Sequence, residues 1–139
     1  MSFNKDLERG LEIENKVLSI LQKKYPSASL ITAYKGYDIW IPEIHKSVEV
    51  KYDPMSCETG NIVVEIEMYE KPSGLMASTA DYWVFYDGEM FVIMPTKNIF
   101  KCIFDCKLQY VEFVGNGDTR SKKAFLVKKD TLFKYGKIL

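Results

Sequence analysis

Apolar and polar positions alternate with two different periods along this chain, and the change of period divides it. From about Lys5 to Tyr25, Leu7, Leu11, Val17, Leu18 and Leu21 recur at helical spacing, with Ile20 widening the stripe. Pro26 is a stop signal just past the end, and Lys23 and Lys24 suit the negative end of a helix dipole. Short extended runs follow: Ser29–Tyr34, Tyr37–Ile41 and Ser47–Tyr52. The polar link Pro42-Glu43-Ile44-His45-Lys46 suits a hairpin between the last two. From Asn61 to Tyr69 the period is again two, so that Ile62, Val64, Ile66 and Met68 share one face and Val63, Glu65, Glu67 and Tyr69 the other.

Pro72-Ser73-Gly74 opens a short segment to Thr79 with some helical character. Asp81–Tyr86 reads as a buried strand, Asp87-Gly88 as a turn, and Met90–Met94 as the returning strand. Pro95-Thr96 starts a predicted helix to about Asp105, and Tyr110–Val114 and Ala124–Lys128 are further strands around a Gly115-Asn116-Gly117-Asp118 turn. The order predicts a single α/β domain over residues 1–139, with an N-terminal helix, a central mixed β-sheet and flanking helices.

Composition changes this picture little. Hydrophobic residues at 47% and charged residues at 27% are the balance of a globular domain, and no apolar run approaches a membrane span. The polar start, without a hydrophobic signal region, leads us to expect a cytoplasmic protein. Three cysteines, Cys57, Cys102 and Cys106, make neither a disulfide framework nor a metal set with the single histidine, His45. The net charge is zero, but its distribution is uneven. Asp38–Glu89 holds eleven acidic and three basic residues, whereas Asn116–Leu139 holds seven basic and two acidic ones. An acidic centre attracts divalent cations and a basic tail meets phosphates, although a solvated, unevenly charged surface gives the same counts.

The chemistry concentrates in the predicted hairpin. Asp38 interrupts an apolar strand, and Glu49 and Lys51 share one face of the next, with Val48 and Val50 on the other. A turn centred near Ile44 sets residue 38 opposite roughly residue 50, which brings Asp38 beside Glu49 and Lys51. Two carboxylates bind a hard cation such as Mg²⁺, and a neighbouring ammonium orients a water or stabilises charge on phosphate oxygens. The plainer reading is a cross-strand ion pair worth about 0.2–1 kcal/mol.

The run Asp38-Ile39-Trp40 … Val48-Glu49-Val50-Lys51 resembles the signature of PD-(D/E)XK nucleases: an Asp, a spacer, then Glu-x-Lys. Arg9-Gly10-Leu11-Glu12-Ile13-Glu14 is similar to the start of the first helix in archaeal Holliday-junction resolvases of that superfamily, with Glu14 at the matching glutamate. The stretches Thr59–Glu65, Lys71–Gly74 and Ala80–Trp83 look like those of phage-encoded members. Tyr37 stands where the name-giving proline would be, and Glu12 competes with Glu14, although Glu14 is in phase with the inward stripe.

The resemblance implies a restriction-endonuclease-like core and Mg²⁺- or Mn²⁺-dependent hydrolysis of DNA phosphodiesters by a small endonuclease of resolvase type. It implies that Asp38, Glu49 and the carbonyl of Val50 hold the metal, that Lys51 assists the attacking water, and that Glu14 adds a carboxylate. Glu65 joins them if its strand lies beside the hairpin, and Arg120, Lys122 and Lys123, in a polar loop, are candidates to track a phosphate backbone. A homodimer in the cytoplasm, or in a host's cytoplasm for a phage-encoded chain, is the expected setting, with DNA as partner and RNA as a second candidate. The alternative is a catalytically inactive nucleic-acid or protein-binding module on the same fold.

Overall fold

The computed structural model describes residues 3–34, 36–114 and 121–139. Helix α1 (Phe3–Gln22) leads into β1 (Ser29–Leu30), β2 (Ile39–Ile41) and β3 (Lys46–Tyr52). Then come α2 (Ser56–Thr59), β4 (Asn61–Met68), β5 (Lys71–Pro72), β6 (Tyr82–Tyr86), β7 (Phe91–Pro95) and α3 (Thr96–Asp105). The chain closes with β8 (Val111–Phe113), β9 (Lys122–Lys128), α4 (Lys129–Phe133) and β10 (Lys137–Ile138). The protein is therefore α/β with a central mixed sheet and several helices.

The expected single sheet is two. Among the described residues the central sheet has the order β1-β2-β3-β6-β7-β10, and a second has the order β5-β4-β9-β8. Every central pairing is antiparallel except β3 with β6, which run parallel from Val48↔Tyr82 to Tyr52↔Tyr86. Parallel neighbours need a long crossover, and here α2, β4 and β5 lie within it, so β4 belongs to the second sheet. Asp53 ends β3 and ties the two sheets together. Its N–H donates to Tyr86 O (2.8 Å), and its buried carboxylate accepts the Val63 N–H (3.1 Å).

Two cores lie on the two faces of the central sheet. Val17 and Leu21 of α1 pack with Ile39, Ile41, Val48 and Val84 on one face. Trp83, Phe85, Val92 and Met94 pack on the other with Ile62, Val64 and Val127 of the second sheet and with Ile99 and Cys102 of α3. The helix is shorter at its end than expected and stops at Gln22, so Lys23 and Lys24 lie beyond it. Its buried face begins at Ile13, whereas Leu7 and Leu11, counted in the predicted stripe, are exposed. Sequence periodicity alone also missed α2, β5, α4 and β10, which are too short to show a period.

Phe85 is fully buried in the strand that joins both layers. Phe85→Ala is expected to cost about 3–5 kcal/mol in chemical denaturation, since the cavity would be walled by strands that cannot collapse. A loss below about 1 kcal/mol would contradict this packing.

Candidate active site

The candidate site forms where the β2–β3 ladder stops. The paired residues are Ile41↔Lys46, Trp40↔Ser47 and Ile39↔Val48. This register is one residue off the sequence expectation, which set residue 38 opposite about residue 50, and the ladder ends at Ile39↔Val48. The difference arises in the turn, where Pro42–Ile44 form a 3-10 turn and His45 takes a left-handed conformation (φ 51°). Glu49 and Lys51 share one face of β3, and the Asp38 carboxyl is hydrogen-bonded to that of Glu49.

Past the ladder, Asp38 continues the pairing with its side chain. Its N–H donates to Val48 O (2.9 Å), its carbonyl accepts the Ile31 N–H (2.8 Å), and its Oδ2 accepts the Val50 N–H (2.8 Å). The odd residues of β3 direct their backbone groups to β6: Ser47 O accepts the Asp81 N–H (3.1 Å), and the Asp53 N–H meets Tyr86 O. The even residues face the β2 side. N–H and C=O of one extended residue point to the same edge, so the Val50 carbonyl lies on the β2 edge of β3.

Burial governs the electrostatics. It pushes the Glu49 carboxyl up to about 8, and the charges of Asp38 and Glu14 push in the same direction, opposed by Lys51. Burial likewise raises Asp38, while the Val50 N–H and a hydrogen bond from Glu49 draw it down. Glu14 is raised to about 7, first by burial and then by Asp38. Three acids thus act on one another, and Lys51 is the cation that acts on Glu49. Among the described residues no three Asp, Glu, His or Cys side chains form a set that could hold a metal ion by themselves. Asp38 and Glu49 would need the Val50 carbonyl and solvent to complete a shell, and Glu14 adds charge from α1.

Glu65 stands differently. Its strand, β4, pairs with β9 and β5 and not with the hairpin, so the condition for its joining the site is not met. A bulge also separates Glu65, opposite Ala124, from Glu67, opposite Lys123, which places the two glutamates on opposite faces instead of one. Lys122 and Lys123 belong to strand β9 rather than to a loop. Lys123 is engaged with Glu67 (3.2 Å) and lies over the Tyr110 ring (5.3 Å). Arg120 lies outside the described residues.

One supporting residue escaped sequence reasoning. Asp81 Oδ2 accepts from both the N–H (2.9 Å) and the hydroxyl (3.1 Å) of Ser47, locking β3 two residues before Glu49. Ser47, alone between charged and apolar neighbours, gave no signal of that role.

Comparison with known proteins adds nothing to this geometry: no family model, no curated protein and no solved structure matches the chain.

Raised acids have a defined effect on stability. The folded state holds protons that the unfolded chain releases near 4.5, so stability is present below that value and is lost as the pH rises through about 7 and about 8. Chelator-treated protein should therefore melt at progressively lower temperature between about pH 5 and about pH 9. Glu49→Gln should remove most of that fall, each unit of displacement being worth about 1.4 kcal/mol. A flat profile, or a Glu49→Gln protein less stable than wild type at the alkaline end, would contradict the site's electrostatics.

Proposed function

We propose that this protein is a divalent-metal-dependent nuclease that hydrolyses DNA phosphodiester bonds on a restriction-endonuclease-like core of the PD-(D/E)XK type. One observation carries the reading: two desolvated carboxyls, Asp38 and Glu49, are hydrogen-bonded to each other where the β2–β3 ladder ends, with the charge of Lys51 acting on Glu49 and the Val50 N–H on Asp38. Charges of one sign brought together out of water need a compensating cation. The donor set suits Mg²⁺ or Mn²⁺, which take oxygen ligands and keep several waters.

Asp38 and Glu49 would hold the cation, with the Val50 carbonyl as a third protein oxygen. The bound cation would polarise the scissile phosphate and make water a stronger nucleophile. Lys51 would orient that water and offset charge developing on the phosphate oxygens. Glu14 would hold a proton or a solvent molecule at the α1 side of the site. The Val50 N–H fixes the Asp38 carboxylate, and the Ser47–Asp81 bonds fix β3, so Glu49 and Lys51 sit on a strand held by packing on both faces and Asp38 is tied to that strand. DNA is the proposed polymer and RNA the next to try; a homodimer and a cytoplasmic setting belong to the same proposal.

Cleavage of supercoiled, linear and four-way-junction DNA with Mg²⁺ or Mn²⁺ tests it. Wild type should cut only with metal. Glu49→Ala should abolish cutting, and Lys51→Ala should leave folding and metal binding intact while slowing cutting by about 10²–10³-fold. Full activity in Lys51→Ala would remove that residue from the mechanism. Absence of cutting on DNA and RNA alike would favour a non-catalytic binding module.

A further inference from the structure

Four aromatic rings run in file past the candidate site. Tyr34 meets Tyr37 edge to face with centroids 5.0 Å apart, Tyr37 meets Trp40 at 6.1 Å, and Trp40 meets His45 edge to face at 6.1 Å. Asp38 lies within this file in the chain. Trp40 opposes Ser47 across β2 and β3, so it projects from the face that carries Glu49 and Lys51. Trp40 is half-buried and belongs to neither core, and Tyr34 is 51% exposed. Burial in a core, the usual use of such rings, accounts for Tyr37 alone.

The file is also held in place. Tyr34 Oη lies 3.2 Å from Thr79 Oγ1, and Gly36 O accepts both the Thr79 N–H (2.9 Å) and the Ser78 hydroxyl (3.1 Å). Gly36 is buried, and a Cβ there would collide with the Tyr34 ring and the Thr79 hydroxyl. Only glycine lets the ring lie down against the loop. Rings ordered before binding lose less freedom when a ligand arrives.

We propose that the Tyr34–Tyr37–Trp40–His45 file binds unstacked nucleobases of a single-stranded nucleic acid, which holds the scissile phosphate at the Asp38–Glu49 pair; this rests on the nuclease reading above. Every base offers a π-face, so successive bases suit a file of single rings, whereas bases within a duplex have those faces occupied by one another. Phosphates need a cation on the face of the rings, and Lys51, on the face that carries Trp40, supplies one. The preferred substrate thus contains single-stranded DNA at or beside the cut, as in a flap, a gap or an opened junction.

The test is binding at low ionic strength in chelator, where cleavage plays no part. The intact protein is titrated with a labelled oligothymidylate and with a duplex of the same length, reading anisotropy and tryptophan emission. The single strand should bind more tightly than the duplex and quench the emission, since Trp83, the other tryptophan, is buried at 4% exposure. Trp40→Ala and Tyr34→Ala should each weaken single-strand binding by roughly tenfold or more. Trp40→Phe should keep the affinity within a few-fold while abolishing the quench, and melting curves confirm that each variant is folded. Unchanged affinity in the folded Trp40→Ala and Tyr34→Ala proteins, equal binding of duplex and single strand, or absence of quenching would each overturn the proposal. Failure to cleave any substrate would instead count against the nuclease reading and leave these binding results standing.

Discussion

The hydrogen bond from the Val50 N–H to the Asp38 carboxylate organises this end of the molecule. Backbone pairing toward β3 ends with the Asp38 N–H on Val48 O, and the next N–H on that edge of β3, that of Val50, would be left without a strand partner. A buried donor in that state costs about 1–3 kcal/mol. Asp38 supplies an acceptor from its side chain instead, and the same act fixes its carboxylate against Glu49. A local answer to a hydrogen-bonding need thus gathers oxygen atoms of one sign at one place.

Those oxygens are held against their mutual repulsion by the two cores. Val48, between Glu49 and the turn, is fully buried under α1, while Trp83 and Phe85, level with Glu49 and Lys51 on β6, are buried under the second sheet. The strand bearing the acids is therefore clamped from both faces and along its edge by the Ser47–Asp81 bonds. Charge that cannot move apart must take up protons or a cation, and this connects the raised acids to metal chemistry. The crossover between β3 and β6 has a structural part in the same clamp, because Asp53 at its start carries β4 against the central sheet.

Much of the site could be read from the chain because it rests on short-range rules. A two-residue period places Glu49 and Lys51 together, and a tight turn returns them to Asp38 without any long-range contact. The turn set the limit: a left-handed His45 after a 3-10 turn moves the register by one residue, and nothing in Pro42–Lys46 announces it. Long strands such as β4 were legible, but the partner of β4 was not, since period two identifies a strand and not its neighbour. That is why Glu65 was a candidate and why a second sheet was not foreseen. The bulge after Glu65 was hidden for a similar reason, because alternation in sequence persists where alternation in space is broken. The aromatic file was visible only as composition, as its order depends on Gly36 and Thr79 meeting across forty residues of chain.

Direct Mn²⁺ binding tests most closely whether the Asp38–Glu49 pair is a cation site. Free Mn²⁺ would be followed by electron paramagnetic resonance during titration with wild type, Asp38→Asn and Glu49→Gln at neutral pH. Wild type should remove Mn²⁺ from solution, Mg²⁺ should compete for it, and either substitution should eliminate the effect while the protein remains folded. Equal Mn²⁺ uptake by wild type and both variants, or none by wild type, would contradict it.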